Sequence, residues 1–196
     1  QIAAPFARAT VEGSLLTATT GCLLSSLSKL ALRHGLSGLE FAVGIPGGLG
    51  GAAYMNAGAY GGEIGPLVRS AQLVQDGTVK TWQRGELSFA YRSSRFQTEP
   101  TVTEIELELV PGERREILQK MNDLQAQRRS KQPLEYPSAG STFKRPPGHY
   151  VGPLIEQAGL KGLRIGGAEV STKHAGFVVK RGEATARDFL DLIATI

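Results

Sequence analysis

Residues 44–65, GIPGGLGGAAYMNAGAYGGEIG, hold nine glycines in 22 positions, and no other segment narrows the possible folds as far. Glycine loses more backbone freedom on folding than any other residue, so a run this dense is expensive to order. A flexible tether would be rich in Gly and Ser and little else. This segment also carries Tyr54, Met55, Asn56 and Tyr60, side chains able to fix a loop in place. It is expected to be an ordered surface, too glycine-rich to pack as a helix.

Two familiar uses of such segments fail on spacing. A P-loop needs Lys-Ser/Thr after its last glycine, and Gly51 and Ala52 stand there instead. A dinucleotide fingerprint needs G-x-G-x-x-G on a strand–turn–helix; Gly48, Gly50 and Gly51 do not give that spacing, and the next segment reads as a hairpin. A third use survives, a main-chain wall against a flat or phosphorylated ligand. Without Cβ atoms, peptide N–H groups can approach within hydrogen-bond distance, and Pro46 holds Ile45 extended at the entrance. A plain set of tight turns would use the same residues.

The flanking chain reads as α+β. VEGSLLTATT (11–20) gives one or two short strands, and Leu23, Leu24, Leu27, Leu30 and Ala31 recur at helical spacing before Gly35. LEFAV (39–43) is strand-like. VRSAQLVQDGTVKTW (68–82) is a hairpin turning on Asp76-Gly77, a pair that tolerates two positive φ angles. Ile105, Leu107 and Leu109 alternate with Glu104, Glu106 and Glu108, the pattern of a strand with one wet face. A helix over 113–130 puts Ile117, Met121 and Leu124 on its inner stripe. The Pro/Ser/Gly-rich 130–148 has no period and is expected to be a domain boundary or a functional loop. Residues 152–162 give a short helix closed by glycine. Strand, turn and helix follow over 174–193, with Thr185 and Asp188 spaced as a capping box.

At 196 residues the chain can bury a sizeable core as one large domain or two modest ones. Its 41% hydrophobic and 20% charged content is ordinary for a soluble protein. No apolar run nears the ~18 residues of a membrane span. The single cysteine, Cys22, rules out an internal disulfide and fits a reducing, cytoplasmic setting. The formal charge is +4, densest where Arg114, Arg115, Lys120, Arg128, Arg129 and Lys131 share a helix with Glu113, Glu116 and Asp123. A solvated face accounts for that mixture; an anion-docking surface and a nucleic-acid module are the alternatives. No metal-ligand spacing is present, so no metal is expected. Gln1 in place of a start methionine, and an apolar helical pattern that runs into Ile196, suggest a fragment lacking both termini.

The segments already quoted from 44–65, with AYRSS (90–94), PSAGSTFKRPPGHY (137–150) and LIEQAGLKGLRIGGAEVSTKHAGF (154–177), occur in an order and spacing that resembles the UDP-N-acetylenolpyruvoylglucosamine reductases, also called UDP-N-acetylmuramate dehydrogenases. The resemblance runs from about residue 10 onward. The short span between Arg92 and Ser141 is similar to the subclass without an inserted tyrosine-bearing loop.

That resemblance implies part of a vanillyl-alcohol-oxidase-type FAD-binding fold plus a smaller α/β substrate-binding domain. Residues 1–132 would be the second FAD-binding domain and 133–196 the substrate-binding domain. It implies FAD and NADPH as cofactors, a UDP-sugar enolpyruvyl ether as substrate, and a cytoplasmic monomer that needs no nucleic acid or membrane. Gly44, Ile45, Pro46, Gly47, Gly48, Gly50 and Gly51, with Asn56 nearby, would face the flavin, although capping a helix or holding a turn would also explain Asn56. Arg92 matches the family's catalytic arginine and Ser141 its serine proton donor. Lys131, Lys144, Arg145 and His174 would line the substrate pocket, although a buried, hydrogen-bonded histidine explains His174 equally well. A third catalytic residue, a glutamate, is expected beyond Ile196, and the first FAD-binding domain outside this chain. The fragment alone is therefore expected to bind FAD poorly and not turn over. Another FAD oxidoreductase of the same fold and an inactive homologue are the competing readings.

Overall fold

A computed structural model describes residues 6–98 and 101–196, which fall into two units, Gln1–Gln125 and Ala126–Ile196. Among the described residues the first unit contains β1 (Ala9–Glu12), β2 (Leu15–Thr19), α1 (Leu24–Arg33), β3 (Leu36–Ser37), α2 (Leu49–Tyr54), β4 (Gly58–Ala59), β5 (Gly62–Glu63), β6 (Val68–Gln75), β7 (Thr78–Gln83), β8 (Thr101–Glu108) and β9 (Val110–Pro111). The helix α3 (Arg114–Lys131) carries the division between the units within its length.

The alternating pattern around Ile105 puts β8 at the centre of an antiparallel sheet ordered β1-β2-β8-β6-β7. Leu16 pairs with Leu107, and both Ala18 and Ala71 with Ile105, so one face collects the apolar residues. Leu16, Leu73, Ile105 and Leu107 are fully buried there, with Leu24 and Leu27 of α1 and Leu49 of α2 in the same core. The β6–β7 hairpin turns at Asp76 and Gly77 with φ of 51° and 72°, the two positive angles that its short loop requires. Gly35, at φ 66°, ends α1 where the sequence places the stop.

Three local readings need correction. LEFAV is not a strand: Glu40–Gly44 is a 3₁₀ helix. The cause is Glu40, whose carboxylate bonds back to Ser37 Oγ (2.6 Å) and Gly38 N–H (2.9 Å), closing the chain into a turn. The glycine run does contain a helix, the six residues of α2, because the carbonyls of Cys22 and Thr20 meet the N–H groups of its first turn, Leu49 and Gly50, and the missing Cβ of Gly50 lets that turn lie close against Thr20. Residues 138–141, expected within an irregular loop, form a strand because a neighbouring strand supplies partners that no local pattern announces.

The second unit contains β10 (Ser138–Ser141), α4 (Val151–Gln157), β11 (Arg164–Ile165), β12 (Ala168–Val170), β13 (Phe177–Lys180) and α5 (Ala186–Thr195). Its sheet runs β10-β13-β12-β11, antiparallel throughout. Ile155, Ala168, Val170, Val178 and Leu192 form a separate core. The expected capping box is present: Asp188 N–H donates to Thr185 Oγ1 (3.2 Å) and Thr185 N–H to Asp188 Oδ2 (2.9 Å). Among the described residues no helix is long and apolar enough to cross a membrane.

Candidate functional site

The glycine segment is a succession of short, ordered turns. Ile45 is extended (φ −83°, ψ 119°), as the following proline requires, and Gly47 follows at φ 116°. The first turn of α2 is then laid against the β2–α1 connection. Leu49 N–H donates to Cys22 O (2.8 Å), Gly50 N–H to Thr20 O (2.9 Å), and Leu24 N–H to Gly47 O (3.1 Å). A Cβ on Gly50 would come within 2.9 Å of the Thr20 side chain, whereas one on Gly51 would meet nothing within 4 Å. The glycines thus divide between packing inward and leaving main chain open outward. Beyond α2, β4 and β5 form a tiny hairpin whose tip, Tyr60-Gly61, has φ of 52° and 82°.

Asn56 joins these pieces. It is buried at φ 41°, the left-handed conformation that closes a helix end. Its Nδ2 donates to Glu63 Oε2 and Ala90 O, both at 3.0 Å, and its Oδ1 accepts from Gly65 N–H at 2.8 Å. The side chain expected beside the flavin therefore binds protein on every polar atom, and it ties the glycine segment to the turn that carries Arg92.

That turn is tight. Ala90 and Ser93 exchange two main-chain hydrogen bonds (3.0 and 3.1 Å), with Tyr91 and Arg92 between them. Arg92 has φ 52°, a conformation that costs a residue with a Cβ roughly 1–2 kcal/mol. Its guanidinium reaches back into the glycine segment, where Nη1 donates to Asn56 O (3.1 Å) and Nη2 to Gly58 O (2.8 Å). A guanidinium has five N–H donors, so this grip leaves others for an anion.

In the second unit Ser141 ends β10, the edge strand, opposite Phe177. A register irregularity between Ser138 and Ser141, with Gly140 at φ 87°, turns the strand locally. Next to it Thr142 N–H donates to Gly176 O (3.0 Å) and Thr142 Oγ1 accepts from Val178 N–H (3.1 Å). The main chain is fixed while Ser141 is exposed, and its Oγ makes no hydrogen bond among the described residues. The His174 ring stacks edge-on against Phe177 at 4.9 Å, and its Nδ1 accepts from Gly176 N–H (3.1 Å), leaving Nε2 as the ring's donor. Ser141 and His174 thus both neighbour Phe177, one across the strand pair and one by its ring. Lys144 and Arg145 lie on the exposed strap that follows, with Arg145 over the Tyr150 ring at 5.0 Å. Lys131 is exposed at the end of α3, and neither it nor Lys144 is hydrogen-bonded or ion-paired to Ser141.

Sequence reasoning missed the residues that brace these turns. Ser94 Oγ donates to Tyr54 O (2.9 Å), Gln97 Nε2 to Tyr54 O (3.0 Å) and to Arg92 O (3.1 Å). Lys173 Nζ donates to Arg129 O (2.8 Å) and lies 3.6 Å from Glu135. These contacts join residues up to 44 positions apart, so no local motif could signal them. Among the described residues no group of three His, Cys, Asp or Glu could hold a metal ion.

Residues 132–196 match the family described as UDP-N-acetylenolpyruvoylglucosamine reductase, C-terminal domain. The UDP-N-acetylenolpyruvoylglucosamine reductase of Clostridium perfringens is 51% identical over 189 residues, which cover 95% of this chain and 62% of that protein. That of Latilactobacillus sakei is 52% identical over 188 residues, again 95% of this chain and 62% of the relative. The crystal structure of UDP-N-acetylenolpyruvylglucosamine reductase from Thermus caldophilus superposes with a TM-score of 0.89 at 38% identity, covering 98% of this chain and 71% of that one. The chain spans about 62% of the length of the curated relatives it matches.

Proposed function

The chain belongs to the UDP-N-acetylenolpyruvoylglucosamine reductase family, and from that premise we propose that the protein reduces UDP-N-acetylenolpyruvoylglucosamine to UDP-N-acetylmuramate in peptidoglycan precursor synthesis. In this reading it is a cytoplasmic monomer using FAD and NADPH. Residues 1–132 serve as the second FAD-binding domain and residues 133–196 as the substrate-binding domain.

The residues present fit a flat cofactor. Main chain at Gly47 and Gly51 borders open space, where a Cβ would meet nothing within 4 Å. Gly44, Ile45, Pro46, Gly47, Gly48, Gly50 and Gly51 would form the wall that holds it, with Asn56 securing the wall from behind. Bound there, FAD would supply hydride transfer from N5, the hydride coming from NADPH.

The remaining work belongs to this chain's own side chains. As hydride adds to the methylene carbon of the enolpyruvyl group, negative charge develops toward the adjacent carboxylate. A fixed guanidinium stabilises such charge without reorganising, and its fork matches a carboxylate. Arg92 fills that role. Ser141 Oγ–H then delivers the proton to the neighbouring carbon, completing reduction of the double bond. A hydroxyl is a weak acid, and it serves here because the acceptor is strongly basic and the donor is held in place. Lys131, Lys144, Arg145 and His174 would bind the diphosphate and sugar.

One observation carries the proposal: Arg92, in a left-handed conformation, is hydrogen-bonded by its own guanidinium to the glycine segment. Backbone strain of this kind persists where the surroundings over-determine it, and functional sites are where it collects. The test is stopped-flow kinetics on the full-length, flavin-loaded protein. Arg92→Ala and Ser141→Ala are expected to slow reoxidation by the enolpyruvyl UDP-sugar by about 100-fold or more, with reduction by NADPH nearly unchanged. Equal slowing of both halves would remove the assigned roles.

A further inference from the structure

We infer that Gln97 is a positioning residue for Arg92, an inference that rests on the reading of Arg92 as the charge-stabilising cation. Gln97 closes a short 3₁₀ turn, Arg95–Gln97, that is anchored by Phe96. Phe96 is 5% exposed and packs edge-to-face on Phe89. The turn is therefore fixed from the core side, and it sends the Gln97 amide back toward Arg92.

The two hydrogens of Nε2 have two carbonyl acceptors. One is Arg92 O itself at 3.1 Å; the other is Tyr54 O at 3.0 Å, at the end of α2. Met55 Sδ, at 3.8 Å, adds a weak third contact. Arg92 is held at both ends: its carbonyl by Gln97, its guanidinium by Asn56 O and Gly58 O. Tyr54 O also accepts from Ser94 Oγ, so the turn and the glycine segment share a double clasp.

The clasp matters because of the backbone conformation. At φ 52° Arg92 is strained, and the strain is relieved if the chain turns about the Arg92 N–Cα bond, which swings its side chain and its carbonyl together. Removing the Gln97 amide frees that carbonyl and permits the rotation. The guanidinium then shifts relative to the carbonyls that aim it. A displacement of ~1 Å at a charge-stabilising group can slow a reaction about 100-fold. Gln97 touches no reacting atom in this account; it acts only through Arg92.

The experiment uses flavin-loaded protein carrying Gln97→Ala and, separately, Gln97→Met, which keeps side-chain length but offers no N–H. Flavin reduction by NADPH and reoxidation by the enolpyruvyl UDP-sugar are measured as separate half-reactions, alone and in an Arg92→Ala background. Both variants are expected to slow reoxidation about 10-fold or more while changing reduction less than about two-fold, and to add nothing once Arg92 is alanine. Slowing of both halves alike, independent losses in the double variants, or loss of flavin from both single variants would overturn the inference and mark Gln97 as structural. If Arg92→Ala slows reoxidation and the Gln97 variants do not, only this inference falls. If Arg92→Ala leaves reoxidation unchanged, the reading of Arg92 falls and takes this one with it.

Discussion

Glu40 is 3% exposed yet its carboxylate stays ionised. Burial alone would raise its pKa, but hydrogen bonds from Ser37 Oγ, its own backbone N–H and Gly38 N–H, with Lys120 Nζ 3.6 Å away, outweigh it. The group is held below the ordinary carboxylate value of 4.5. Since its pKa is depressed in the folded protein, the network contributes stability above that pH and loses it as the pH falls further. Glu40→Gln leaves the network one acceptor short and is expected to cost about 1–3 kcal/mol at pH 7. It should also flatten the acid limb of a urea-denaturation series taken from pH 7 to pH 3. A variant with an unchanged acid limb would show that this network does not contribute to acid sensitivity. The consequence reaches the site, because Glu40 opens the turn that delivers the chain into the glycine segment.

At the scale of elements, α2 shows how one stretch of glycine answers two demands. Gly50 faces Thr20 and Gly51 faces open space, so the same substitution should act with opposite sign one residue apart. Gly50→Ala is expected to destabilise by about 1–3 kcal/mol through overpacking. Gly51→Ala should stabilise the helix by roughly 0.5–1 kcal/mol and weaken flavin binding, because its methyl would stand on the proposed cofactor face. Thermal denaturation and flavin titration read the two effects; undiminished flavin affinity in Gly51→Ala would take Gly51 off that face. These elements also mark where sequence reading succeeds. The Asp76-Gly77 hairpin, the β8 alternation and the Thr185–Asp188 cap were legible because each depends on residues a few positions apart. The 3₁₀ helix at Glu40 was not, because no hydrophobic period announces a carboxylate that bonds back two and three residues; α2 and β10 were not, because each is decided by a partner elsewhere, the end of β2 and β13. The candidate residues divide in the same way. Arg92 and Ser141 stand in quotable motifs, while apart from the Gln97 amide on Arg92 O the bonds that tie the Arg92 turn to the glycine segment span 34 to 43 residues.

For the whole molecule, the two units carry unequal cores. In the first, Leu16, Leu24, Leu27, Leu49, Leu73, Ile105 and Leu107 are among the many fully buried side chains; in the second, Leu192 and Val170 are sealed completely with the smaller Ala168. Small domains bury a smaller fraction of their surface and hold less stability in reserve. Truncating one buried Leu or Ile to Ala removes about 2–5 kcal/mol, which the larger core can absorb and the smaller cannot. Leu192→Ala should therefore strip hydrogen-exchange protection from residues 126–196 while leaving β2, β6 and β8 protected. Ile105→Ala should lower protection across the first unit without unfolding it. Acid should weaken the second unit as well. Asp188 accepts N–H bonds from Thr185 (2.9 Å) and Gly167 (3.2 Å), which keep its carboxyl below the ordinary range, and protonation removes that cap as the pH falls. Segment-resolved exchange by mass spectrometry distinguishes the outcomes. Protection lost evenly over both segments in Leu192→Ala would mean that the chain unfolds as one cooperative body, and that Ser141 and Arg92 stand or fall together rather than on separate supports.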